Sequence, residues 1–360
     1  MDTPYASLPA TAFWRTGVAD LAPDAIAGVY APKFAIAPST TVATLGSCFA
    51  QHMGRELRQR SFRWFEAEPA IAGFPKEFNE SHQYGVFSFR TGNIYTPRML
   101  RQWLEWASGT ASPPDEMWEK DGRFVDPFRP TIEPDGFATP DDVLAARRAS
   151  LAAIAASLPK IEVLVFTLGQ TEAWLGEDVT YAMCPGTAGG TFDGARHRFH
   201  NFSTRECVAD MEAAIALLKA ANPQMRILLT VSPVPMVATA SAEHVLVANG
   251  RTKSVLRAVA AMLAEERDEV DYFPSYELIT QPPFRGMFYH DNMRTVQPAG
   301  VAFVMEQFFT AHGVAPKGNR KARRRLALNG KAAAKAEPAT DDVDDVICEE
   351  VLLEAAAPRR

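Results

Sequence analysis

Eight residues, Ile161-Glu162-Val163-Leu164-Val165-Phe166-Thr167-Leu168, run almost unbroken through β-branched and apolar side chains and stop at Gly169. A strand with one face in water alternates apolar and polar residues. A near-continuous run requires burial on both faces, the condition of a strand inside a parallel sheet covered by helices. Residues 41–45, ending at Gly46, and Arg226–Val231, before Ser232-Pro233, read the same way, and 270–273 is a shorter fourth. Helical spacing fills the intervals: Phe49, Met53 and Leu57 within 49–60, then 141–158, 205–221, 253–266 and 298–311. Strand and helix in alternation specify an α/β chain, a three-layer α/β/α open parallel sheet with helices on both faces.

Two stretches leave this rhythm. Residues 62–140 are rich in Phe, Trp, Pro and Gly and include a helix bearing Leu100, Trp103, Leu104 and Trp106. They read as an insertion folded over the C-terminal edge of the sheet, either filling core or lining a substrate site. After Gly313 aromatics stop: 317–335 holds eight basic residues and no acidic ones, and 337–354 reverses the sign with Glu337, Asp341, Asp342, Asp344, Asp345, Glu349, Glu350 and Glu354. Such a composition buries too little apolar surface to offset its conformational entropy. The expectation is an α/β domain over 1–313 and a disordered basic-then-acidic tail over 314–360. Val343, Val346, Ile347, Val351 and Leu352 leave room for a short acidic helix that docks on a protein partner or pairs with the basic run.

Several function classes are excluded. A formal net charge of −6 and the lack of a basic, aromatic stripe argue against a nucleic-acid partner. No apolar run reaches the ~18 residues of a membrane span. The start, Met1-Asp2-Thr3-Pro4-Tyr5, lacks a secretory pattern, and Cys48, Cys184, Cys207 and Cys348 are too scattered for a disulfide framework. A cytoplasmic protein with reduced thiols is expected. There is no phosphate loop, no Gly-x-Gly-x-x-Gly after a strand and no Gly-x-Ser-x-Gly elbow. The glycines of 186–194 form a flexible loop, and His197-x-x-His200 after Cys184 lacks a second cysteine pair. Neither a metal nor a cofactor is therefore expected.

The informative segment is Leu45-Gly46-Ser47-Cys48-Phe49-Ala50-Gln51-His52. It sets a glycine, a hydroxyl and a thiol between the first strand and a helix, outside the carboxyl end of a strand, where open α/β sheets place their chemistry. Amides at a helix start carry partial positive charge, which lowers a thiol's pKa and holds an oxyanion. The plain alternative is a cap by Ser47 and a small buried Cys48. A redox sensor at Cys48 would want a resolving cysteine, and none lies nearby in sequence.

Gly46-Ser47-Cys48-Phe49-Ala50 resembles the signature that names the GSCFA-domain proteins, and the resemblance runs over roughly residues 5–312. The other matching stretches are 84–88, 92–95, 126–130, 166–169, 171–174, 201–202, 230–234 and 273–277. That family is similar to the SGNH (GDSL-like) hydrolases, flavodoxin-like α/β/α esterases and acyltransferases, so the resemblance implies roles position by position. The nucleophile's position falls on Cys48, with Ser47 one residue away; a thiolate could attack unaided, whereas a hydroxyl would need a base. The oxyanion block falls on Gly169-Gln170-Thr171-Glu172, with Gly169 as backbone donor and Gln170 or Thr171 replacing an asparagine side chain. Asn93, in a matching stretch, joins the substrate-binding set. The Asp-x-x-His block falls on Asp291-Asn292-Met293-Arg294, where arginine cannot act as a base. His290 and His244 are the candidate bases, His52 could tune a thiolate from one turn along, and Arg294 would suit an anionic substrate group.

Two functions follow. One is an esterase or O-acyltransferase working through an acyl-enzyme on an acylated glycan or related precursor, with an acyl thioester such as acyl-CoA as donor in the transferase case. The other is a catalytically silent fold that binds a glycan or protein, with the tail as tether. The acyl group, its acceptor and the oligomeric state are not encoded in these motifs.

Overall fold

The computed structural model describes residues 3–314 and 347–356. The described residues cluster into two compact units: 36–272 with 347–356, and 3–35 with 273–314.

The larger unit opens with β1 (Val42–Gly46), α1 (Phe49–Gln59), α2 (Lys76–Ser81), α3 (Pro97–Ser108), the hairpin β2 (Trp118–Lys120) and β3 (Arg123–Val125), and α4 (Pro140–Ser157). It continues with β4 (Val163–Leu168), β5 (Glu172–Leu175), β6 (Thr180–Tyr181), β7 (Arg198–Asn201), α5 (Thr204–Ala221), β8 (Arg226–Val231), α6 (Val245–Glu266) and β9 (Val270–Tyr272). The central sheet has the order β1-β4-β8-β9 and every pair is parallel. All residues of β1 and β4 are buried, which is why their sequences show no alternation. The fold is α/β, a parallel four-stranded sheet flanked by helices. The crossovers run through α5 and α6, which pack together, α6 lying against β8 and β9, while α1 packs on β1 and β4.

Beyond β1 the sheet continues as a single parallel bridge, Val42 to Trp64. Counting that bridge as a strand gives the 2-1-3-4-5 order of doubly wound, flavodoxin-like sheets, with its switch point between β1 and β4. The stretch 62–140 is thus not simply a cover over the strand ends. It begins as the sheet's own edge, because β1 offers unpaired backbone groups there that must be satisfied. It then returns along β1, where Ser88 N donates to Thr44 O (3.1 Å) and Ile94 N to Gly46 O (2.8 Å). The motif at 126–130 is a buried anchor for this return. Asp126, fully buried, accepts from Arg129 (2.9 Å) and Arg147 (2.9 Å), and Arg129 also donates to the Arg90 carbonyl and to Ser150.

Two elements differ from their expected extents. α6 starts at Val245 rather than at 253, because His244 caps it through Nδ1, accepting from Leu246 N at 3.2 Å. A small antiparallel sheet, β6-β5-β7, follows β4; its strands are only two to four residues long, too short to show a periodic signature. Residues 315–346 of the expected disordered tail lie outside the described residues. The expectation of disorder does not hold for 347–356, where Glu349–Ala356 form a 3-10 helix within the larger unit. Glu349 and Glu350 are buried there, so composition is overruled by specific polar partners.

The smaller unit holds short turns through 4–25, α7 (Ser275–Thr280) and α8 (Pro298–Ala311). Its core packs Tyr30 edge-to-face with Phe273 and Phe273 edge-to-face with Phe308, each at 5.2 Å between ring centres. No helix among the described residues is long and apolar enough to cross a membrane.

Candidate active site

The site forms where β1 and β4 end. Gly46 has φ +128°, and a Cβ there would lie 2.3 Å from the Thr167 carbonyl, so only glycine lets the two strand ends meet. Ser47 N donates to that carbonyl at 2.9 Å. Ser47 is 2% exposed, and its hydroxyl has no hydrogen-bond partner among the described residues. Cys48 is the N-cap of α1, buried, with no side-chain cap bond of its own. Burial pushes the thiols of Cys184 to about 11 and Cys207 to about 12. Those two are held protonated; Cys48 differs from them in standing as the N-cap of a helix.

The block at 169–172 is built differently from the resemblance. The amides of Gly169 and Gln170 both donate to the Tyr95 carbonyl, at 3.0 and 2.9 Å. Gly169's N–H is therefore engaged and does not face an oxyanion; its lack of a side chain serves instead to admit Ser47, whose Cβ would lie 2.8 Å from a Cβ at Gly169. Thr171 donates to Asn201 Oδ1 (2.7 Å) and meets Thr252 at 2.9 Å, so its hydroxyl is also committed. That leaves the Gln170 amide, which donates into the site to Glu350. Glu172 accepts from Thr239 at 2.7 Å and from Asn201 at 3.3 Å. Desolvation raises its carboxyl above the usual range, against the pull of Thr239, the Ala240 backbone and Arg251.

Asn93 and Tyr95, from the chain returning along β1, complete the floor; both are buried. Tyr95 is held well above the ordinary phenol range by burial first, then by the charges of Cys348, Glu349, Glu350 and Cys48 around it. It stays a donor. A cavity of about 210 Å³ opens beside it, lined among others by Gln170, Glu172, Trp174 and Met183, and by Glu350 and Leu353 from the terminal segment.

Gly46, Ser47, Cys48, Asn93, Gly169 and Gln170 thus meet in one place. His52 lies buried beside the Phe49 ring, 5.4 Å between centres. His244 is exposed and employed as a helix cap. His290, Asp291 and Arg294 belong to the smaller unit, in a turn closed by His290 N to Thr295 O (2.9 Å); Asp291 is exposed there. No group of His, Cys, Asp and Glu among the described residues could hold a metal. His197 and His200 make other contacts, the latter to Glu206 at 2.7 Å.

Sequence reasoning missed Lys253, buried, whose ammonium donates to the Gly169 carbonyl at 2.9 Å. Its signal was present: Lys253 falls on the apolar stripe of α6, in step with Leu256, Val259, Ala260 and Leu263. It also missed Gln83 and Thr131, and Glu349 and Glu350, the last two because acidic tails usually stay in water.

A parallel sheet with a glycine, a hydroxyl and a thiol in the turn at its switch point places this chain among the α/β proteins. The GSCFA family model matches residues 41–308, and the chain belongs to that family. A search of curated proteins finds no match. Among solved structures, the chain is similar to one titled "Crystal structure of acetyl esterase mutant S10A with acetate ion", with 10% identity over 80% of this chain and 98% of that one, at a TM-score of 0.34.

Proposed function

We propose that this protein is an SGNH-like acyl esterase or O-acyltransferase, acting through an acyl-enzyme on an acylated glycan or related precursor. The observation that carries the reading is Cys48 at the N-cap of α1, at the carboxyl end of β1 and the sheet's switch point. The Cys48 thiolate attacks the ester carbonyl, the carbon–oxygen bond to the alcohol breaks, and the alcohol leaves with a proton from water. The thioester then passes its acyl group to water or to a second hydroxyl, restoring the thiolate. The Gln170 side-chain amide, which donates to the Glu350 carboxylate of the terminal segment, is the donor to the developing oxyanion once that carboxylate gives way, since Gly169 N–H and the Thr171 hydroxyl are engaged within the fold itself. A thiolate formed at a helix start does not require a histidine for the attack, which accommodates Arg294 in place of the histidine.

The test is intact-protein mass spectrometry after p-nitrophenyl acetate and, separately, acetyl-CoA. Wild type and Ser47→Ala acquire one acyl group, and Cys48→Ala acquires none. An adduct lost only in Ser47→Ala would move the nucleophile to Ser47. Absence of adduct and of nitrophenol release in every form would favour the second reading, a silent fold that binds through this site, which the seated terminal segment also supports.

A further inference from the structure

The terminal segment is seated in the site by bonds to buried side chains. Gln51 and Ile347 exchange two bonds, Gln51 Nε2 to Ile347 O (2.6 Å) and Ile347 N to Gln51 Oε1 (3.0 Å), and Ile347 packs on Ala50, Val86 and Phe87. Next in the chain, the Glu349 carboxylate, 3% exposed, accepts from Asn93 Nδ2, from the Tyr95 hydroxyl (2.9 Å), from the Thr131 hydroxyl (3.1 Å) and from Asn93 N (3.4 Å). These donors are arranged for an anion. Gln83 Nε2 donates to Thr131 Oγ1 at 2.7 Å, so the single Thr131 proton is left to point at Glu349. Gly92, at φ +68°, has no Cβ where one would come within 3.0 Å of Glu349 Oε1.

Yet the fit is incomplete. Asn93 Oδ1 and Gln83 Oε1 are buried acceptors with no partner among the described residues. Both belong to amides already engaged around this carboxylate, and Gln83 Oε1 lies 3.8 Å from the vacant Gly92 Cβ position that Glu349 Oε1 approaches. A carboxylate offers them no proton; a ligand carrying hydroxyl groups beside its carboxylate would. Unmatched buried acceptors lose the bonds they made to water, so native sites seldom leave them idle.

We infer that Asn93, Tyr95 and Thr131 form a carboxylate-binding subsite beside Cys48, that Glu349 fills it in cis, and that its exchangeable ligand is a hydroxylated carboxylic acid of the uronic-acid type. The inference deepens the acyl-transfer reading by naming an acidic substrate group, but binding is read here without any turnover. The terminal segment is then a competitor of substrate.

The test uses the full chain and a fluorescein-labelled peptide of residues 345–356. Glu349→Ala protein, whose own segment has lost its carboxylate, binds the peptide at least tenfold more tightly than wild type does. The same peptide carrying Glu349→Gln does not bind, and glucuronate displaces the parent peptide while glucose does not. In parallel, Cys48 alkylation by iodoacetamide, mapped by mass spectrometry, is several-fold faster in Glu349→Ala than in wild type, and glucuronate slows it again. The proposal is overturned if no peptide binds, if the neutral peptide binds equally, if glucose matches glucuronate, or if Cys48 reactivity is the same in both proteins. Acylation lost without these changes would sink the catalytic reading alone.

Discussion

Two buried polar clusters lie in the larger unit, and they are built on opposite rules. Around Asp126, each carboxylate oxygen meets an arginine, and Arg129 and Arg147 go on to main-chain carbonyls and Ser150. Around Ser47 and Asn93, donors converge on a carboxylate while a hydroxyl and two amide oxygens stay unmatched. A closed network serves stability, since breaking it strands buried charge. An open one is kept where something must come and go.

The contrast can be broken at its strong end first. Asp126→Ala leaves two buried guanidinium groups without their carboxylate and should lower stability by ~3–5 kcal/mol in urea denaturation; a loss below 1 kcal/mol would remove the distinction. Gly46→Ala, pressed against Thr167 at a φ that side chains avoid, should cost about 1–3 kcal/mol in the same assay. Ser47→Ala deletes an unpartnered hydroxyl, so its effect should be neutral or a gain of up to about 1 kcal/mol. A marked loss there would place Ser47 in the structural class.

The smallest effect is a control outside both clusters. Burial would raise Glu206, but bonds from the Ser203 amide and hydroxyl and from His200 outweigh it and hold the carboxyl at about 2 instead of 4.5. A lowered carboxyl contributes stability above its unfolded value and loses it as pH falls from 4.5 toward 2. Glu206→Gln should therefore flatten the acid limb of the stability profile in that window, and an unchanged limb would count against the cap.

The strands and most helices of the sheet were legible because burial on both faces imposes unbroken apolar runs, as at 163–168. The turn at 46–48 was legible because glycine, hydroxyl and thiol stand together between strand and helix. Other features depend on distances that no local pattern carries. The Gly169 amide is consumed by Tyr95, whose position along β1 is set by a return chain without regular structure. Trp64 contributes one bridge where the fold's logic wants a strand, too little to show any period. The terminal segment has the composition of a solvated tail, and only the donors waiting at Asn93, Tyr95 and Thr131 for Glu349, and at Gln170 for Glu350, turn two of its acids inward.

The irregular chain beside β1 has one more consequence. Val42 bonds to Arg63 and Phe65, and Thr44 and Gly46 to Ser88 and Ile94, so the β1 edge of the sheet is not left bare to a second molecule. An apolar edge left open is a template for intermolecular pairing. Here the stretch that seals it also carries Asn93 and Tyr95 to the site. Substitutions that loosen 86–95 should therefore damage ligand binding and solubility together, and variants selected for one property will report on the other.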